Sequence, residues 1–157
     1  MFNPTRVLAA LLIVLGLGTG SAFAAGGGGD SSSTPKDPKY LEAKGLVEDG
    51  QYGPAIPLLE QVVASDPKNA DAFNYLGYSL RKSGDKDGAL ANYQKALAID
   101  PEHLGANEYL GELFLEMGKL AEAEQRLEVL DGACFFGCDE YYELKDKIQK
   151  FKTSQSS

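Results

Sequence analysis

Two cysteines four positions apart carry the sharpest chemical character in the chain: Cys134 and Cys138, set in the stretch from Asp131 to Asp139 as DGACFFGCD. An isolated pair this close reads first as a disulfide in a protein that leaves the cytoplasm, as the opening residues of this one indicate. The loop it would close is short, so the cross-link would add only about 2 kcal/mol by restricting the unfolded chain. Its use would be geometric, fixing a turn. Two other chemistries stay open here. Cys138 lies beside an expected helix N-terminus, where a thiolate is stabilised, which suits a redox or regulatory thiol. Thioredoxin-like sites, however, have two residues between their cysteines, and this pair has three. Two thiolates could also serve a metal, but no nearby histidine completes a set of four ligands.

Other catalytic constellations are thin. The single histidine, His103, follows Asp100-Pro101 and adjoins Glu102. A general base needs a positioned nucleophile within reach, and the pattern suggests none. The serines gather in a low-complexity stretch, a turn and the C-terminal end. Gly26 to Gly29 follow no strand, so they do not read as a phosphate-cradling loop. Carboxylates are plentiful, but they fall on the solvent faces of helices. The expectation is a protein that is not an enzyme and uses no cofactor and no metal.

The elements that would position any of these residues are helical. From Ala70 to Pro101, Phe73, Leu76, Gly77 and Leu80 share one helix face and Gly84 interrupts it. Ala89, Tyr93, Ala96 and Leu97 then form a second apolar face, closed by Asp100-Pro101. Two helices joined by a tight turn cannot bury both faces alone, so neighbours are required. They recur at a spacing of 34 residues: Leu46, Leu80, Phe114 and Ile148; Gly50, Gly84 and Gly118; Ala55, Ala89 and Ala123; Leu59, Tyr93 and Leu127; Pro67 and Pro101. Each position has a distinct job. Gly77, Gly111 and Ala43 are small enough for two helices to approach closely, and the turn glycines can take positive φ. Asp-Pro separates successive units, because proline opens a helix and cannot continue one. In the first unit Pro54 fits a helix start. Pro57 lies deeper and predicts an irregular or late start there.

The period and the Leu-Gly…Gly…Ala…Tyr…Ala…Pro series resemble the tetratricopeptide repeat (TPR) over roughly residues 36–151. Lys39 and Glu42 in the first unit, and Phe135 in place of the third proline, depart from the pattern as terminal units do. The resemblance implies an all-α fold, a right-handed αα-solenoid of three hairpins closed by a C-terminal capping helix. The Asp131-Gly132 pair should end the third hairpin. From about residue 139, Tyr141, Leu144, Ile148 and Phe151 then stand on one face of the cap, with Glu140, Glu143, Lys145, Lys147 and Lys150 on the others.

The resemblance also implies a concave groove, lined by the first helix of each hairpin, that takes an extended peptide or a partner helix. The core series leaves Tyr40, Lys44 and Val47 of the first unit to face it, with Asp71, Asn74, Tyr78, Arg81 and Lys82 of the second and Glu108, Glu112 and Leu115 of the third. Asn74 would bond a ligand backbone, Tyr78 would offer a flat apolar contact, and Arg81 or Lys82 would meet a carboxylate. Family members that bind chaperone tails use a basic-asparagine clamp. Glu108 and Glu112 stand where it would want positive charge, which disfavours that ligand class.

The N-terminus reads as an address. Arg6, the apolar run Val7 to Leu17 and Ala22-Phe23-Ala24 form a signal peptide over 1–24, cleaved after Ala24, its apolar core too short for a membrane span. Residues 25–37 read as a flexible Gly/Ser-rich linker, 38–151 as the repeat domain and 152–157 as a disordered tail. The chain has 15 basic and 23 acidic residues, a formal charge of -8; cleavage removes Arg6 and no acid, leaving -9. That balance offers no footprint for nucleic acid or anionic lipid. The functional expectation is therefore a non-catalytic protein-interaction scaffold or adaptor, periplasmic or secreted, without membrane insertion after cleavage. The alternatives are a thiol-redox or metal-handling accessory protein centred on Cys134 and Cys138, and a structural subunit that associates with itself.

Overall fold

The computed structural model describes residues 37–155; the expected signal peptide and nearly all of the linker lie outside them. Within the described residues the chain forms seven helices and no strand: α1 (Pro38–Glu48), α2 (Tyr52–Ser65), α3 (Ala70–Lys82), α4 (Lys86–Ile99), α5 (Leu104–Glu116), α6 (Leu120–Ala133) and α7 (Asp139–Gln155). None of them is long and apolar enough to cross a membrane. The expected all-α repeat architecture is what the chain adopts.

Three turns of identical construction make the hairpins. Gly50, Gly84 and Gly118 take φ of 74°, 95° and 74°. The amide after each glycine donates back to the helix it leaves: Gln51 to Leu46 at 2.7 Å, Asp85 to Leu80 at 2.9 Å and Lys119 to Phe114 at 2.8 Å. This closure satisfies carbonyls the helix end would leave bare, and it needs a residue tolerant of positive φ. The starts of α1, α3 and α4 are capped by side chains: Asp37 accepts from Lys39, Asn69 from Ala72 and Asp85 from Gly88.

Packing runs strictly from neighbour to neighbour. Within each hairpin α1 packs on α2, α3 on α4 and α5 on α6; between hairpins α2 meets α3 and α4 meets α5, while α7 lies across α5 and α6. The first helices also touch in a row, α1 on α3, α3 on α5 and α5 on α7. Tyr40, Ala43, Leu59, Val62 and Leu76 fill the first interface, Tyr93, Leu110 and Leu113 the second, and Leu115, Leu130, Leu144 and Ile148 the last. Close approach is real at two glycines. A Cβ on Gly77 would lie 2.8 Å from the Tyr93 ring, and one on Gly111 would lie 2.5 Å from Leu144.

Three boundaries differ from expectation. Helix α2 begins at Tyr52 and runs through Pro57 without a break. The carbonyl that Pro57 leaves without its helical donor belongs to Gly53, an exposed residue in the first turn, so water can take the donor's place. Asp131-Gly132 does not end α6, which continues to Ala133 and closes with Cys134 N–H donating to the Leu130 carbonyl at 2.9 Å. At the C-terminus the helix outlasts the expected tail boundary, continuing over 152–155. There Lys152 pairs with Glu124 of α6, and the Thr153 and Ser154 hydroxyls bond carbonyls one turn back. A cation in the last turn also suits the helix dipole.

Candidate partner-binding face

The row α1, α3, α5, α7 gathers most of the tyrosines in the molecule. Tyr40 packs edge-on against Tyr75 at 6.0 Å, Tyr52 reaches Tyr78 from α2 at 5.8 Å, and Tyr78 meets Tyr109 at 4.6 Å. Tyr109 in turn approaches Tyr93 at 6.4 Å. Tilted and edge-on pairs of this kind are favoured by the ring quadrupoles. Cations sit on the same strip. The Arg81 guanidinium lies 5.5 Å from the Tyr78 ring and 5.8 Å from that of Tyr109, and Lys82 lies 5.3 Å from Tyr78.

Beside the strip runs an ion network that draws on four helices, α3, α4, α5 and α7. Arg81 Nη1 is 2.6 Å from Glu112 Oε2 and 3.1 Å from Glu116 Oε1. Lys147 of α7 pairs with Glu112 from the other side and reaches Glu143 at 3.9 Å, while Lys86 meets Glu116 at 3.2 Å. Arg81, Glu112, Glu116, Leu115, Lys147 and Phe151 line an open cleft of about 490 Å³. The Glu108, Glu112 and Glu143 carboxylates converge within 4.8 Å of one another, a spacing that could hold a cation. Here the cation among them is the Lys147 ammonium. Burial, and then a hydrogen bond to Glu143, push Glu108 up to about 8. The cause is that the charged form of Glu108 loses its hydration and faces a second carboxylate. Burial also lowers Lys147, against the attraction of Glu108.

The expected groove residues separate into two sets. Tyr40, Asn74, Arg81, Glu108 and Glu112 are buried, as are Val47 and Leu115. Asn74, expected to bond a ligand, lies against Gly105 at the start of α5, and its Oδ1 has no hydrogen-bond partner among the described residues. Arg81, expected to meet a partner's carboxylate, has a side chain only 3% exposed and already spends its charge on Glu112 and Glu116. Both corrections have one cause: the adjacent first helix packs over these positions. Lys44, Asp71, Tyr78 and Lys82 remain at the surface or half-exposed. Asp71 is bonded to His103 Nε2 at 3.1 Å, and His103 Nδ1 caps α5 by accepting from Ala106 at 3.1 Å. The histidine is thus a helix cap.

Tyr75, Tyr109, Glu143 and Lys147 belong to the same face and were missed as groove residues. Tyr75 and Tyr109 stand 34 residues apart, so the period that located the core also marked them. The face of Lys147 depends on how α7 docks, which no spacing within α7 states. At the far end, Cys134 and Cys138 are joined by a disulfide with Cα atoms 5.6 Å apart, which leaves no free thiol at that turn.

Two family models, both described as tetratricopeptide repeat, match residues 40–103 and 80–148. Over 93 residues, 57% of the chain, it is 37% identical to the cellulose synthase operon protein C of Escherichia coli (strain K12), and this match spans only 8% of that protein's length. Among solved structures, the Yersinia enterocolitica type III secretion chaperone SycD in complex with a peptide of the translocator YopD superposes with a TM-score of 0.63 at 22% identity, covering 74% of this chain and 88% of that one. The first TPR of Spaghetti (RPAP3) bound to the HSP90 peptide SRMEEVD superposes with a TM-score of 0.66 at 17% identity, covering 76% and 91%. At such identities the likeness concerns the fold.

Proposed function

The chain belongs to the tetratricopeptide repeat family, and from that premise we propose that it is an exported, non-catalytic scaffold or adaptor that holds a partner peptide or helix along its first-helix face. The support for a protein-interaction role is the fold together with neighbours of the same architecture that were solved with bound peptides. The observation that carries the choice of face is the tyrosine strip. Tyr75, Tyr78 and Tyr109 are half-buried, so each ring is braced from behind and still offers an edge or face to a ligand. Braced aromatic surface loses little entropy on binding and is enriched at interface hot spots. Lys44 and Lys82 flank it, and their amines favour a partner segment with an apolar anchor and a carboxylate beside it. The ion pair of Lys44 with Glu48, 3.5 Å apart on an exposed helix face, is weak enough for a ligand to replace.

The test uses the full chain beside a Lys44→Glu/Lys82→Glu variant. Both side chains lie outside the core, so the variant should keep its stability to within about 0.5 kcal/mol. In a crosslinking pull-down from the native host, a partner captured by the native chain and lost by the variant supports the first-helix face. Equal capture by both removes it. Export is tested separately by fractionating cells that make the chain with and without residues 1–24. Retention of the full chain in the cytoplasm would overturn that part of the proposal.

A further inference from the structure

The turn between α6 and α7 presents an aromatic pair that the fold does not use. Phe135 and Phe136 are 87% and 93% exposed, and their rings meet edge to face at 4.9 Å. Tyr142, 58% exposed, lies against the same turn, where the Cβ position of Gly137 is 2.6 Å from its hydroxyl. Single exposed apolar side chains are ordinary, but a contiguous aromatic group marks a contact surface. Its shape is held in place. The Cys134–Cys138 disulfide spans the turn, Gly137 takes φ of 84°, and its amide donates to the Cys134 carbonyl at 2.8 Å. A constrained loop loses less freedom on binding than a loose one.

The charge around the pair selects the occupant. Asp131 and Asp139 flank the turn in the chain and Glu128 precedes them on α6, and from Leu127 to Leu144 there is no lysine, arginine or histidine. An anionic membrane surface would repel such a collar. Two copies meeting tip to tip would bring the same acids face to face. An apolar pocket rimmed by lysine or arginine complements both the rings and the collar.

We propose that the disulfide-closed tip is a docking element separate from the first-helix face, and that it seats Phe135 and Phe136 in an apolar, Lys/Arg-rimmed pocket of a partner protein. The full chain carrying a benzophenone side chain in place of Phe136 would be irradiated in its native host and the crosslinked peptide sequenced. The expected product is a protein adduct whose crosslinked segment is apolar with lysine or arginine around the contact. A second probe chain, also carrying Glu128→Gln/Asp131→Asn, should lose adduct about fivefold or more, as rim charges govern the encounter. Both acids are exposed on α6, and an unchanged thermal melt would show that the fold is kept. A lipid adduct, an adduct with a second copy, a contact segment without basic residues, or no adduct above that of a probe at exposed Lys68 would each overturn the proposal.

Discussion

Burial beneath the cap and contact with Glu143 raise the Glu108 carboxyl to about 8, while Lys147 pulls the other way and Glu140 adds to the rise. In the unfolded chain the same group titrates near 4.5. Between those values the folded chain holds a proton that the unfolded chain has released. The resulting stability is full below about 4.5 and is lost as the pH climbs through about 8. The loss is on the order of a few kcal/mol. Glu108→Gln supplies a permanent N–H donor toward Glu143 and removes the titration. Thermal melts from pH 5 to pH 9 should show Tm falling by several degrees in the native chain and a flatter profile in the variant. Equal slopes would mean that Glu108 carries no extra proton. Arg81 belongs to the same neighbourhood, where a buried charge must be matched on the spot.

At the scale of elements, the joint between α5 and α7 depends on Gly111 having no side chain. Leu144 is fully buried against it and has nowhere to retreat. Gly111→Ala should therefore cost about 1–3 kcal/mol, the usual range for overpacking a filled core. Gly45 is the contrasting case: it lies inside α1 with nothing within 4 Å of its Cβ position. Gly45→Ala should stabilise by about 0.5–1 kcal/mol, because alanine leaves the unfolded chain less freedom to lose. Denaturant midpoints moving in opposite directions would support both assignments. A Gly111→Ala midpoint equal to that of the native chain would refute the tight joint.

Across the described residues as a whole, each helix touches only its neighbours in the stack. Stability in such an array is a sum of local interfaces, and the interior units have two while the ends have one. Amide hydrogen exchange should thus be slowest in α3, α4 and α5, and faster toward α1 and the end of α7. Uniform protection over all seven helices would indicate one cooperative unit instead. The row of tyrosines and ion pairs crosses α3, α5 and α7, so unfastening of α7 would also disturb the wall of the face proposed to hold a partner.

The sequence by itself determined the repeat. Positions such as Leu80, Gly84 and Ala89 recur because each obeys a local rule, apolar at helical spacing, glycine where φ turns positive, alanine where backbones approach. It also placed the aromatic and charged candidates on the first helices, and the same spacing marked Tyr75 and Tyr109. Tertiary packing decided which of these stay accessible. Asn74 and Arg81 share a face with Tyr78 by sequence, yet the neighbouring first helix covers the former two and leaves Tyr78 half-exposed. Lys147 meets Glu112 across 35 residues, and the Glu108 carboxyl is raised by burial and by Glu143 of α7. Phe135 and Phe136 point outward because the disulfide-closed turn between two packed helices gives them no core to enter. Periodicity reports what a residue faces within its own helix. Burial, charge pairing and proton affinity depend on atoms that arrive from other helices, and those distances exist only in the folded chain.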